Sequence, residues 1–415
     1  MTEYDAIIVG ARCGGAPLAM LLARAGHKVL LVDRMAFGTD IMSTHFVKRS
    51  GASLLEQWGL LDAVKEAGTP AIETLKFYID DTKLEGTAPA HEGVATDFTP
   101  RRFYLDKILV DAAISAGVEA REQFTVSELL YENDRVVGIK GRTKGGDSVT
   151  ERAKVVIGAD GVRSFVAKSV EAVHYVDAGI HTCGHYAYYS GMRESDSTAS
   201  LHVLTDQRRF YITFPTNDDL DMLFLFWPTQ LAQQVRANLD GAFAESLKLV
   251  PELESRVQSA TRETRISGTH LLPNFFRRAH GPGWALVGDA ALHRDPITAQ
   301  GITNAFTHAA ILAEELDAAF CGQTTVDQAT AAYDQRQYDK LKPMFDYTVH
   351  LAMLQKLPEE MQQMLPMVAS DPNATSAFIG AFMGSMPLDQ VFPPSLLERF
   401  AADVERGQQE QSYVA

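Results

Sequence analysis

A strand-like run, Asp5-Ala6-Ile7-Ile8-Val9, leads directly into Gly10-Ala11-Arg12-Cys13-Gly14-Gly15. Glycines at such a corner permit a tight turn, and the helix that follows would present N–H groups and partial positive charge to a pyrophosphate. The spacing departs from the ideal G-x-G-x-x-G, because Gly10 and Gly15 hold the outer places and Arg12 the middle one. The Arg12 charge could lie near that pyrophosphate. Asp33, followed by Arg34, closes a second apolar run and sets a carboxylate where it can bind ribose hydroxyls. Two further carboxylates stand at strand ends, Asp160 in Gly158-Ala159-Asp160-Gly161 and Asp289 after Trp284-Ala285-Leu286-Val287-Gly288. The second continues into Asp295-Pro296-Ile297-Thr298-Ala299-Gln300-Gly301-Ile302, a loop held by Pro and Gly before a helix. Asp289 could bind ligand hydroxyls, and the positive helix end near Gly301 and Ile302 would stabilise an anionic group. Taken singly, each stretch also reads as an ordinary strand-turn-helix.

These residues need elements to hold them. Residues 16–26 have helical spacing and stop at Gly26, a natural C-cap, before the apolar run Lys28–Asp33. Strand, helix and strand within about 30 residues make a βαβ unit. The pattern predicts a helix over 51–66, extended chain over 71–86 and a helix over 105–116. Strands follow at 124–131 and 135–142 around the turn Glu132-Asn133-Asp134. From 181 to 228 the chain is rich in Tyr, Phe, Thr and His and reads as several strands. Residues 230–260 read as helical, 284–289 as a strand, and the chain from 299 onward as mostly helical.

In this order and spacing the motifs carry a resemblance. The chain resembles the FAD-dependent monooxygenases of the para-hydroxybenzoate hydroxylase type, and is similar to their relatives, the geranylgeranyl reductases and flavin-dependent halogenases. The resemblance covers roughly residues 4–340. It implies an α/β fold: a Rossmann-like FAD-binding domain of glutathione-reductase type, with an inserted, mostly antiparallel substrate domain and C-terminal helices. The expected FAD domain is discontinuous, over 1–75, 95–172 and 265–340. The substrate domain would take 76–94 and 173–264, and the helical region 341–415. By resemblance, Gly10, Gly15 and Asp33 bind the ADP half of FAD, with Arg12 and Arg34 beside them. Asp160 and Gly161 touch FAD and nicotinamide. Gly288 and Asp289 hold ribityl and pyrophosphate, and Pro296, Gly301 and Ile302 lie against the isoalloxazine. An arginine before the helix at 105–116 contacts FAD, either Arg102 or Arg101. The chain departs from the pattern at Ala167, where an arginine usually stands, which loosens any nicotinamide role of that segment. The Trp-x-Trp-x-Ile-Pro motif of halogenases is not met by Phe224-Leu225-Phe226-Trp227-Pro228, which disfavours halogenation. The run from Asp295 to Ile302 looks more like the reductase and halogenase branch than the hydroxylases.

On the substrate side, His181, His185, Tyr186, Tyr188, Tyr189, Phe210, Tyr211, Phe214, Phe224, Phe226 and Trp227 alternate as in a sheet with one face over a ligand. For any single one of them, sheet packing is the plainer role. His185, His293 and His45 are candidates for acid–base work, and His293 is closest in sequence to Pro296. Seven of the 13 methionines fall between Met344 and Met386, which suits irregular apolar packing or a pocket wall. The resemblance implies NAD(P)H as transient reductant and O2 as oxidant of a small hydrophobic, aromatic substrate. Reduction of a lipid-like or isoprenoid double bond is the alternative, and a non-catalytic FAD-binding redox sensor a further one.

Composition bounds the remainder. The chain has 415 residues, 46% hydrophobic and 22% charged, enough for more than one core. A net charge of −15 argues against nucleic acid and anionic lipid as partners. Cys13, Cys183 and Cys321 are far apart and suggest neither a disulfide framework nor a zinc site. No long uncharged apolar run suggests a membrane span, and the acidic start is unlike a secretory signal. A cytoplasmic monomer or homodimer is expected.

Overall fold

The computed structural model describes residues 3 to 412. The first strand, Glu3–Val9, pairs in parallel with Val29–Val32 on one side and with the far end of Ser148–Gly158 on the other. Trp284–Leu286 and Glu119–Arg121 extend the parallel sheet outward in the two directions. Its middle strands are buried on both faces, which is why Ile7, Ile8, Leu30, Leu31, Val156 and Ile157 run as unbroken apolar stretches. The crossover helix Gly15–Arg24 covers one face through small and aliphatic residues, Ala16, Leu18, Ala19 and Leu22. A hairpin of Thr125–Glu132 and Arg135–Arg142 joins the base of this sheet. Asn133 and Asp134 turn it with φ of +48° and +62°, the geometry a two-residue hairpin turn demands.

A second sheet is built mostly from the middle of the chain. Its strands Thr182–Ser190, Leu220–Pro228, Arg209–Thr216 and Thr198–Leu204 run antiparallel, and Thr74–Ile79 then adds in parallel to Thr198–Leu204. Both faces are covered. Cys183, Ala187, Tyr189, Leu225 and Trp227 pack under the short helices between 232 and 259. Tyr186, Tyr188, Phe224 and Phe226 pack on the opposite face with Ile297, Ala299 and the C-terminal helices. A small third sheet, His174–Ile180, Pro273–Arg277 and Leu292–His293, bridges the two units.

Three expectations meet local breaks. The helix expected over 51–66 divides into Arg49–Gln57 and Leu61–Glu66, because Gly59 takes φ +71° between them. The strand expected at 284–289 stops at Leu286, since Gly288 turns the chain with φ +60°. The region 230–260 forms three helices, Ala232–Ala237, Leu239–Leu247 and Pro251–Ser259, with Asn238 capping the second and Pro251 opening the third. Among the described residues, no helix is long and apolar enough to cross a membrane.

Candidate functional site

The glycine turn is tight for steric reasons. Gly10 has φ +109°, and a Cβ there would stand 2.3 Å from the Ala159 carbonyl oxygen. A Cβ on Gly15 would stand 1.9 Å from the Gly10 carbonyl oxygen. Asp33 secures the turn from below: one carboxylate oxygen accepts from Ala11 N (2.8 Å) and the other from Met35 N (2.8 Å). Arg34 beside it is exposed.

Arg12 does not reach out from the turn. It pairs with Asp106 (3.1 Å) and donates to the Thr39 hydroxyl (3.0 Å). Arg102 grips the same carboxylate with two nitrogens, at 2.9 and 3.0 Å, and Cys13 donates to it through sulfur. Asp106 therefore anchors Arg12 and Arg102, two of the four arginines named from sequence. Sequence reasoning missed it, although its i,i+4 spacing from Arg102 was available. Arg101 turns elsewhere, bridging Asp40 and Asp218 and lying over the Tyr188 ring at 5.4 Å. Asp160 also serves the fold: its carboxylate accepts from the Ser164 hydroxyl, Phe165 N (2.6 Å) and Val166 N (3.2 Å), capping the helix Phe165–Ser169. Gly161 next to it has φ +80° and open space at its Cβ position.

At the other end, Gly288 N donates to His308 Nδ1 (2.9 Å), while Asp289 is exposed. Buried Arg294 donates to Asn304 (2.6 Å), but its Nε and Nη1 have no hydrogen-bond partner. Burial lowers its pKa to about 9, and nearby Asp289 pulls the other way. The loop after it is capped by Asp295, whose carboxylate accepts from Ile297 N (3.1 Å) and the Thr182 hydroxyl. Ala299 takes φ +51°, and the long helix Gly301–Phe320 begins there. Pro296 and Gly301 reach the surface of this otherwise buried loop, nothing stands within 4 Å of a Cβ at Gly301, and Ile302 is buried.

The candidate histidines separate. His293 Nδ1 meets the Pro273 carbonyl and its ring stacks on Phe275, toward the small sheet. His185 lies on the outer face of the second sheet, 5.9 Å from the Trp227 ring, so the register removes it from the Pro296 loop. Burial lowers its pKa to about 4, with His270 adding to the shift. His45 is the one at the seam. Fully buried with φ +54°, it hydrogen-bonds Tyr188 through Nε2, while its Nδ1 has no partner. Burial lowers its pKa to about 3; Arg102 and Arg101 add to this and Asp40 opposes it.

The family model described as "FAD binding domain" matches residues 3–342. The chain belongs to that family. It is 24% identical to the 1H-pyrrole-2-carbonyl-[peptidyl-carrier protein] brominase of Pseudoalteromonas luteoviolacea, across 81% of this chain and 82% of that protein. It is 27% identical to the digeranylgeranylglycerophospholipid reductase of Methanocella arvoryzae, across 74% and 75%. Among solved structures it is similar to the flavin-dependent brominase Bmp2 (TM-score 0.83, 19% identity, 98% of this chain and 100% of that one). It is also similar to PqsL of Pseudomonas aeruginosa in complex with 2-aminobenzoylacetate (TM-score 0.75, 21% identity, 92% and 99%). The chain is an FAD-dependent oxidoreductase of this superfamily.

The residues present fit FAD. Two unpaired buried guanidinium nitrogens on Arg294, an exposed carboxylate at Asp289 and open space over Gly301 suit a polyhydroxylated, anionic ligand beside the loop. Asp33→Ala and Asp289→Ala are each expected to weaken FAD retention by about 1.5–3 kcal/mol, roughly ten- to hundredfold in Kd. Flavin absorbance per protein in the purified variants measures this, and full flavin content in both would refute the placement. A second expectation concerns Asp295. Burial raises its carboxyl to about 7, against the hydrogen bonds from Thr182 and Ile297. A raised carboxyl contributes stability that is complete below its ordinary value of 3.8 and is lost as pH rises through about 7. Asp295→Asn should therefore flatten the fall in unfolding free energy across that window. Parallel pH profiles for variant and wild type would contradict it.

Proposed function

We propose that the chain is a monooxygenase that hydroxylates an apolar, aromatic small molecule, with NAD(P)H as transient reductant and O2 as co-substrate. FAD, when bound, supplies the electron transfer and oxygen activation. One observation carries this reading: the inner face of the second sheet is aromatic and ends against the loop at Ile297 and Ala299. Tyr186, Tyr188, Phe214, Phe224 and Phe226 share one apolar cluster with those two loop residues. Phe378, Phe382 and Met383 of the helix Pro372–Met383 close the same cluster. A wall of this kind excludes water and gives a flat ring surfaces to lie on.

His45 and Tyr188 form a hydrogen-bonded polar pair at that wall. A neutral imidazole with a pKa near 3 is a poor proton sink but a competent hydrogen-bond partner. Burial also raises the Tyr188 hydroxyl, so both groups stay uncharged at working pH. The pair thus orients a polar substituent of the substrate rather than storing a proton. The Arg101 guanidinium over the Tyr188 ring holds that ring in place.

The run from Asp295 to Ile302, together with the apolar cover from the C-terminal helices, also favours a second reading: reduction of a lipid-like double bond. Oxygen uptake and product mass distinguish the two. With NAD(P)H and a panel of phenols and larger aromatics, we expect substrate-dependent O2 consumption and a product heavier by one oxygen atom. A saturated product formed without O2 would instead establish the reductase. A product carrying bromine or chloride when the halide is supplied would overturn hydroxylation, and flavin that NAD(P)H fails to reduce would favour a sensor. On the preferred reading, Tyr188→Phe should raise KM roughly two- to tenfold with kcat and its pH profile kept, as for loss of one neutral hydrogen bond. An unchanged KM would remove Tyr188 from the substrate site.

A further inference from the structure

The helices that begin at Gly15 and Gly301 end beside one another. His27 follows the first, three residues past its last residue, Arg24. Asp317 and the C-cap Cys321 lie at the end of the second, about 24 and 30 Å along the axis from Gly301 at 1.5 Å per residue. The cluster is thus remote from the flavin loop. His27 Nε2 lies 2.7 Å from Asp317 Oδ1, and Cys321 Sγ lies 3.8 Å from the same oxygen. The three ligand atoms all fall within 4.8 Å of one another. No sequence spacing announces this, since His27 and Asp317 are 290 residues apart.

We propose that His27, Asp317 and Cys321 bind a divalent cation of the zinc class, with water completing the coordination. The donor set selects the ion: imidazole, carboxylate and thiolate suit zinc, whereas magnesium and calcium require oxygen ligands. Tetrahedral bonds of 2.0–2.3 Å need donor atoms roughly 3.3–3.8 Å apart. His27 and Asp317 would therefore separate slightly and Cys321 draw in. Asp317 is half exposed and Cys321 exposed, so side-chain rotation suffices.

The surroundings favour a cation. Both helices direct the partial negative charge of their C-terminal carbonyls here, and the longer one has no basic residue in its last turn. Asp317 and Cys321 share one helix face through their i,i+4 spacing. The His27 ring is held edge-on to Phe320, with centroids 4.9 Å apart. Lys154 lies 5.5 Å from the same Phe320 ring, but Asp5 holds its charge at 2.7 Å. Bound metal would tie together the far ends of two helices whose near ends face the FAD site.

The thiols provide a clean readout. Cys13 and Cys183 are buried and Cys321 is exposed, so a water-soluble alkylating reagent reports on Cys321 in the folded protein. The test uses the full FAD-loaded chain, washed with chelator. Micromolar Zn2+ should slow alkylation about tenfold or more and Mg2+ should not, and His27→Gln and Asp317→Asn should each remove most of that protection. Flavin content confirms that the variants remain folded. Equilibrium dialysis of Zn2+ against the wild type should also show binding lost once Cys321 is alkylated. No protection by Zn2+, or protection in both variants equal to that of the wild type, would overturn the proposal and leave a plain His27–Asp317 hydrogen bond beside a free thiol.

Discussion

One buried carboxyl group keeps the Pro296 loop and the second sheet in register. Asp295 N donates to Asn274 Oδ1 at 2.7 Å, and Asn274 in turn donates to the Gly179 carbonyl at 3.1 Å. The Asp295 carboxyl takes the Thr182 hydroxyl from the second sheet and Ile297 N from its own loop. Asp295, Asn274 and Thr182 are all fully buried. In so dry a place a satisfied polar network specifies a single arrangement, because sliding any strand would leave donors or acceptors unpaired at a cost of about 1–3 kcal/mol each. The loop that carries Pro296 therefore cannot shift against the aromatic face without breaking several bonds together.

A similar constraint governs the glycine turn. The middle place of the glycine turn holds Arg12, a long side chain where the smallest is usual, yet the turn remains tight. Asp106 explains this: it draws Arg12 and Arg102 together toward the helix Arg102–Ser115 and away from the backbone corner. The close approach of a buried guanidinium, Arg102, and a half-buried one, Arg12, is tolerated because one carboxylate receives both and Thr39 takes a further N–H from Arg12. The departure at residue 12 is thus absorbed by a partner 94 residues away.

What could be read from the sequence was local. The βαβ unit, the glycine turn with Asp33, the hairpin turned at Asn133 and Asp134, and the carboxylate at Asp289 all follow from residues close in the chain. What escaped was long-range. His45 owes its place to Tyr188, 143 residues on, and to a left-handed backbone that its residue type does not announce. Asp160, named by resemblance for its place at a strand end, also accepts from the first backbone N–H groups of a five-residue helix, a local contact. His27 and Asp317 meet across 290 residues of chain, so only the Asp317–Cys321 half of the proposed metal-binding trio is local in sequence.

The face proposed for the substrate is fixed by parity. Along Thr182–Ser190 the side chains alternate between two faces, and both are apolar and covered, so hydrophobic pattern alone leaves open which set meets the flavin loop. Thr182 decides it. Its hydroxyl reaches Asp295 in the loop, so residues at even positions in this strand, Tyr186 and Tyr188 among them, share that side. His185 falls on the other. Gly184 belongs to the even set, and a Cβ there would stand 2.7 Å from the Phe224 ring. The missing side chain lets Phe224 settle across the strand, where it stacks on Phe226 with ring centroids 4.3 Å apart. A glycine with no conformational demand of its own is thus required because an aromatic ring occupies the volume its side chain would fill.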